Sequence, residues 1–375
     1  MSDATLEDAL RSTLFDAIAA GVTPGAVASI FTGDSTADSG VTVVAGRLAS
    51  HGATAALPTA EHERVDEHTR YDLASVTKVF SAITILSLVD DGSLTLDDDV
   101  AEWLPGSAAA GRGVTIAHLL SHTSGLPPTW SGWRASVRDE STPHARWLPP
   151  ERSAVLASIL SLEPSRPPGT GFEYSCLGYI TAMAAAESAT GRPWDELVHD
   201  RVLSPLGLTG TAFTPGPAGV APTENQSAIG RGVVRGTVHD ETAFALGGVS
   251  ANAGLFGPVG DIVALGRAML AGLPGVLSAQ SFDRFWNDQL PRMLGDRAAD
   301  TSREIGYGQS LGLRVAQSSW MGDSPSARGH NGFTGTSLFV DPQADRVVAL
   351  LANRVHPTRE GPDAQPLRSA VAYLR

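Results

Sequence analysis

A single cysteine, Cys176, stands in 375 residues, which excludes an intrachain disulfide and removes any demand for an oxidising compartment. Lysine is equally scarce: of the 27 basic residues, 26 are arginine and one is Lys78. Arginine does not release its proton at working pH. A chain that uses it everywhere else therefore marks Lys78 as a position where a deprotonatable amine matters. Positive charge is short overall. The formal net charge of −13 argues against a nucleic-acid partner, because affinity for a phosphate backbone comes from Lys and Arg displacing counterions. No stretch approaches the ~20 apolar residues that cross a bilayer. The segment to Gly21 carries Asp3, Glu7, Asp8 and Asp16 among Leu6, Leu10 and Leu14 at helical spacing. That pattern predicts an amphipathic surface helix rather than a signal peptide, and with it a cytoplasmic protein with no membrane partner. No repeat or low-complexity tract suggests a solenoid or propeller.

A hydrophobic content of 42% over this length buries a large core, so residues 1–375 read as one catalytic unit. The runs Gly25–Phe31, Val41–Arg47, Gly335–Asp341 and Arg346–Ala352 are short, β-branched and bounded by turns, as strands are. Ser75–Asp91, Tyr179–Thr190 and Val259–Leu270 are rich in Ala, Leu and Ile and predict helices. The expected fold class is α/β in the α+β sense. Both chain ends build an antiparallel sheet (a lobe of roughly residues 1–72 and 300–375), and a mainly helical lobe, roughly 73–299, is inserted in it.

The chemistry concentrates at Ser75 and Lys78. Ser75-Val-Thr-Lys78 opens a segment, Ser81-Ala-Ile-Thr-Ile-Leu-Ser-Leu-Val, that is apolar nearly all round and should be buried. Residues three apart share a helix face, which places the Lys78 amine beside the Ser75 hydroxyl. Burial and the positive helix end should both disfavour the ammonium, leaving Lys78 a usable base. The helix N-terminus aims N–H groups at any oxyanion formed on an acyl group carried by Ser75.

With these residues in view, the chain resembles the serine β-lactamase and penicillin-binding-protein superfamily, in its class C β-lactamase, D-alanyl-D-alanine carboxypeptidase and esterase branch. Leu73-Ala-Ser75-Val-Thr-Lys78-Val-Phe, Leu119-Leu-Ser-His122-Thr-Ser-Gly125-Leu, Gly247-Gly-Val-Ser-Ala-Asn-Ala-Gly-Leu-Phe and Gly329-His330-Asn331-Gly332-Phe-Thr-Gly-Thr resemble family stretches and follow the family's order. The resemblance implies a covalent acyl-enzyme on Ser75, with Tyr174 exchanging a proton with it. The family's Tyr-x-Asn is matched by Tyr174-Ser-Cys176. Cysteine is a poor substitute for an amide, which argues against recognition of acylamide side chains and hence against β-lactam hydrolysis. On one strand-like or turn segment, Cys176 would line the cleft beside the phenol, its thiolate favoured by Lys78. His330-Asn331-Gly332 matches the family's third motif. There His330 would face Ser75 and titrate near neutrality, Gly332 would let substrate approach closely, and the Phe333 N–H would complete the oxyanion hole with that of Ser75.

Other patterns are weaker. Gly308-Gln-Ser310-Leu-Gly312 matches a nucleophile elbow, but Leu311–Gln317 reads as a strand where that motif needs a helix. His118 and His122 stand four apart like zinc ligands, without the glutamate a metalloprotease needs. Val238-His239-Asp240-Glu241 fits acids at a helix start. The expected protein is a serine hydrolase of a small-molecule ester or D-amino-acid amide, with no metal and no organic cofactor. The alternatives are a β-lactamase, a D,D-carboxypeptidase or a non-catalytic penicillin-binding sensor. Nothing in the sequence sets the oligomeric state.

Overall fold

The computed structural model describes residues 2–33, 40–52, 63–138, 146–147 and 151–374. Its strands are β1 (Gly25–Thr32), β2 (Val41–Gly46), β3 (Tyr71–Asp72), β4 (Val137–Arg138), β5 (Arg146–Trp147), β6 (Ala212–Phe213), β7 (Leu255–Gly257), β8 (Gly308–Gln309), β9 (Arg314–Val315), β10 (Arg328–Asn331), β11 (Ser337–Asp341) and β12 (Arg346–Ala352). Seven of them form an antiparallel sheet in the order β2-β1-β12-β11-β10-β9-β8, drawing on both ends of the chain. β3, β7 and β6 make a second, small sheet. The mixed α/β class and the antiparallel sheet agree with the sequence.

The large sheet is hydrophobic on both faces because helices cover both. β12 is buried along its whole length, which explains why Arg346-Val-Val-Ala-Leu-Leu-Ala reads as a continuous apolar run rather than an alternation. One face, with Ala26, Ala28, Ile30 and Leu350, receives Leu6, Leu10 and Leu14 of the helix Asp3–Ala19 together with Leu367 and Val371 of the helix Gln365–Tyr373. The other face, with Val27, Val347, Ala349 and Leu351, receives Ile262, Val263 and Leu265 of the helix Val259–Leu270. Each buried leucine, isoleucine or valine among them contributes about 1.5–3 kcal/mol. Among the described residues, no helix is long and apolar enough to cross a membrane.

The helix Thr77–Asp90 is buried from Thr77 to Leu88, as an all-round apolar helix must be. Three local expectations change. Ser75 lies in a short 3-10 turn, Ala74–Val76, ahead of the α-helix, and Ala74 takes the left-handed φ of 46°. The helix expected from Tyr179 starts at Cys176, because Ser175 caps it by accepting from the Gly178 N–H. The strand expected over Leu311–Gln317 shrinks to Arg314–Val315, since positive φ values at Gly312 (116°) and Ala316 (53°) turn the chain on either side.

Candidate active site

Two segments meet at Ser75. The residues just before it are stitched to the turn between β10 and β11: the Thr334 hydroxyl donates to the Asp72 carbonyl (2.7 Å) and the Thr336 hydroxyl to that of Leu73 (3.0 Å). Gly332 fits only as glycine, since a Cβ would stand 2.6 Å from the Leu73 oxygen and 2.2 Å from Thr336 Oγ1. The sequence suggested that this glycine admits substrate; here its missing side chain admits the backbone ahead of Ser75. Ser75, Tyr174, Arg314, Asn331, Gly332, Phe333, Arg354, Asp363 and Arg368 line a cleft of about 520 Å³. A cavity of similar volume across the sheet, beside Leu6, Phe339 and Leu374, contains none of these residues.

Lys78 is fully buried. Its Nζ donates to Ser75 Oγ at 3.1 Å, to the Asn252 carbonyl at 2.8 Å and to Cys176 Sγ at 3.6 Å, so three N–H groups meet three acceptors. Burial pulls the amine down, but the Cys176 thiol and the Tyr174 phenol facing it draw it back further, and the net direction is upward from a free lysine. That upward pull acts once Cys176 or Tyr174 gives up its proton, so the charge on Lys78 is tied to the charge on its two neighbours.

Tyr174 is half-buried, with one part of it facing the cleft and the rest packed among rings and cations. Its ring lies 4.4 Å from the His122 ring and 6.0 Å from the His330 ring, with Lys78 Nζ 5.2 Å and the Arg314 guanidinium 5.6 Å from its centre. His330 is buried behind this wall rather than facing the cleft, its Nδ1–H donating to the Asn331 carbonyl at 2.8 Å. Burial first, then the Arg314 and Lys78 charges, hold its imidazole well below 6.5. The expectation that it titrates near neutrality fails for that reason. His122, another non-glycine residue with positive φ (60°), is held down by burial and by Lys78, and its Nδ1 accepts from the Ser175 N–H at 3.1 Å.

Cys176 is brought beside Lys78 as expected, but it is partly exposed and stands outside the residues that line the cleft. Burial pushes its thiol up by more than Lys78 draws it down. The expected reactive thiolate is thus a resting thiol, and we predict that iodoacetamide at pH 7.5 alkylates Cys176 several-fold more slowly than it does a free cysteine. Activity should fall in step with that slow reaction, because the added group displaces Lys78. Alkylation as fast as that of a free thiol would contradict the raised thiol.

A second expected outcome concerns stability. A histidine whose folded pKa is depressed stabilises the fold above its unfolded pKa, and that contribution is lost as pH falls below about 6.5, where only the unfolded chain takes up the proton. Between pH 7.5 and 5.5 one such histidine costs about 1.4 kcal/mol. Urea titrations should show the wild type losing about that much more than a His330→Asn variant over this interval. Equal losses would mean that His330 protonates freely in the fold.

The remaining sequence patterns resolve into structure. Ser310 is buried in the turn joining β8 and β9, its Oγ accepting from the Leu313 N–H at 3.0 Å, which is no place for a nucleophile. His118 caps its own helix through Thr115, and among the described residues no group of His, Cys, Asp and Glu could hold a metal ion. Asp240 caps the helix Glu241–Ala245, as acids at a helix start do. Sequence reasoning missed Asp72, Asn252, Arg314 and Arg368. Asn252 lay within a stretch already marked by resemblance, whereas nothing local distinguishes the two arginines from the other twenty-four.

Comparison with known proteins bears on the same arrangement. The family model described as Beta-lactamase matches residues 11–373. The chain belongs to the beta-lactamase family. Over 324 residues it is 30% identical to a protein of Escherichia coli (strain K12) that carries a provisional D-alanyl-D-alanine carboxypeptidase name, covering 80% of this chain and 72% of that one. Among solved structures, EstCE1, described as a hydrolase with promiscuous acyltransferase activity, superposes with a TM-score of 0.74 at 23% identity, covering 99% of both chains. A D-stereospecific amidohydrolase from Streptomyces sp. does so with a TM-score of 0.67 at 24% identity, covering 97% of this chain and 98% of that one. These two likenesses speak for the fold, and the site must be read from this beta-lactamase family member's own residues.

Proposed function

We propose that the protein is a serine hydrolase that works through a covalent acyl-enzyme on an ester or amide. The observation that carries this reading is the 3.1 Å hydrogen bond between the buried Lys78 amine and Ser75 Oγ at the wall of the cleft. Ser75 Oγ attacks the carbonyl carbon, and its proton passes through the Tyr174 and Lys78 relay to the leaving oxygen or nitrogen. The N–H groups of Ser75 and Phe333 receive the developing oxyanion. Water then attacks the acyl carbon, and its proton returns through the same relay to Ser75.

The charge of the cleft supports a narrower substrate class. Arg314, Arg354 and Arg368 line it with Asp363 as the single carboxylate, and among the described residues none of the three forms an ion pair. Arg354 and Arg368 instead donate to the Phe333, Gly332 and Thr336 carbonyls. A surplus of positive charge in a cleft favours substrates that carry a carboxylate, as a peptide with a free C-terminal residue does. The provisional carboxypeptidase name of the Escherichia coli relative and the amidohydrolase title of the Streptomyces neighbour are consistent with that class.

The test compares a short-chain nitrophenyl ester, a chromogenic cephalosporin, a peptide ending in D-alanyl-D-alanine and the same peptide with its C-terminus amidated, with Ser75→Ala as the blank. The free-acid peptide should outrun its amide. Equal rates would remove the carboxylate from the proposal. Release of no more than one equivalent of product from every substrate in excess would favour the sensor reading over an enzyme.

A further inference from the structure

A network of charged side chains lies under the turn that carries Phe333, and the acyl-transfer chemistry leaves it unused. Asp72 is almost fully buried, and both of its oxygens are engaged: Oδ1 accepts from the Ala74 N–H at 2.8 Å and Oδ2 from the His239 N–H at 2.7 Å. The first bond holds the residue before Ser75 in its left-handed conformation, a strained state that persists only where its surroundings enforce it. The second leads to the other side of the cleft. His239 Nε2 meets Glu224 Oε2 at 3.0 Å, and Glu224 in turn is gripped by Arg359, whose Nε stands 2.7 Å away and whose backbone N–H donates to Oε1 at 3.0 Å.

With its edge fixed in this way, the His239 ring stacks beneath the Phe333 ring, with centres 5.7 Å apart and planes 24° from parallel. The Arg354 guanidinium faces the Phe333 ring at 4.7 Å, and its Nε donates to the Phe333 carbonyl at 3.1 Å. Phe333 is nonetheless half exposed, with half of its surface open. Its carbonyl is tied down, while its N–H donates to no atom of the described residues. A side chain that buries so little of itself contributes little to the core. Buried charges are also a costly way to support it, since apolar groups would fill the same space without desolvation.

We infer that Asp72 and His239 are positioning residues, which set the Ser75 and Phe333 N–H groups in register for one oxyanion. Asp72 fixes the backbone that leads into Ser75 and, through the His239 main chain, the ring on which Phe333 rests. The inference rests on the acyl-transfer reading of the cleft. An oxyanion hole acts only on the charge that develops in the transition state, so a loosened donor lowers kcat and leaves substrate binding nearly unchanged.

The experiment uses the ester on which the wild type is active, together with a boronate that forms a tetrahedral adduct on the serine. His239→Ala and Phe333→Ala should each lower kcat by about 30- to 100-fold, the scale of a misplaced catalytic group, with KM within about three-fold. Boronate affinity should fall by a similar factor. His239→Phe keeps a flat ring and should recover kcat to within about five-fold of wild type. Full kcat in Phe333→Ala would overturn the proposal, as would a loss carried by KM alone. If His239→Ala does not fold, Phe333→Ala and His239→Phe decide the matter. Failure of a fluorophosphonate to label Ser75 in the wild type would instead sink the acyl-transfer reading, an outcome distinct from normal labelling with an indifferent Phe333.

Discussion

With Ser75 replaced by alanine, turnover should fall by at least about 10⁴-fold and covalent labelling by a fluorophosphonate should vanish, because the proposed acyl bond forms on the Ser75 hydroxyl. The other serine flagged by its sequence pattern, Ser310, is buried and engaged with the Leu313 N–H. Stability should scarcely change. Ser75 is partly exposed, and its hydroxyl accepts the single bond from Lys78, which is worth about 1 kcal/mol. The strain at Ala74 is borne by Asp72 and by the stitching from Thr334 and Thr336, none of which involves the Ser75 side chain. A urea midpoint close to wild type combined with lost labelling would therefore isolate the chemistry. Labelling that persists in Ser75→Ala would move the nucleophile elsewhere and with it the whole reading of the cleft.

How much of this could be read beforehand depends on the range over which each feature is decided. β12 and the helix Val259–Leu270 coincide with their apolar runs because burial on both sides of a sheet, or along one helix stripe, is written locally. The meeting of Ser75 and Lys78 follows from helical spacing alone. Cys176 shows the limit of such reasoning. Treating it as a strand or turn position overlooked Ser175 as a helix cap, a signal present in the sequence, and so misjudged the element that carries the thiol. Ionisation is decided further away. Nothing near Lys78 in the chain reveals that Cys176, Tyr174 and the Asn252 carbonyl will surround it, nor does the neighbourhood of His330 reveal Arg314 and Lys78. Those groups come from elements scattered along the chain, and tertiary contacts tie the charge of Lys78 to its neighbours and remove the expected titration at His330. Asp72 was invisible for the same reason, because its partner His239 lies 167 positions away.

Lys78→Arg is the variant that tests the proton relay itself. Arginine preserves the positive charge beside Ser75, but its guanidinium does not give up a proton at working pH. If Lys78 passes protons between Ser75, Tyr174 and the leaving group, kcat should fall by about 100-fold or more even though the charge is kept. Bulk complicates the comparison. Lys78 is completely buried, and a larger head group in a filled site costs about 1–3 kcal/mol, so urea unfolding must be measured alongside. Lys78→Met supplies the complementary change. It matches the volume more closely and removes the charge, leaving the Asn252 carbonyl without its donor at a cost of about 1–3 kcal/mol. A relay role predicts that the Arg and Met variants lose comparable activity while both remain folded. The opposite pattern, an arginine variant near wild type beside an inactive methionine variant, would show that Lys78 acts through its charge alone and that the serine proton travels through Tyr174 without it.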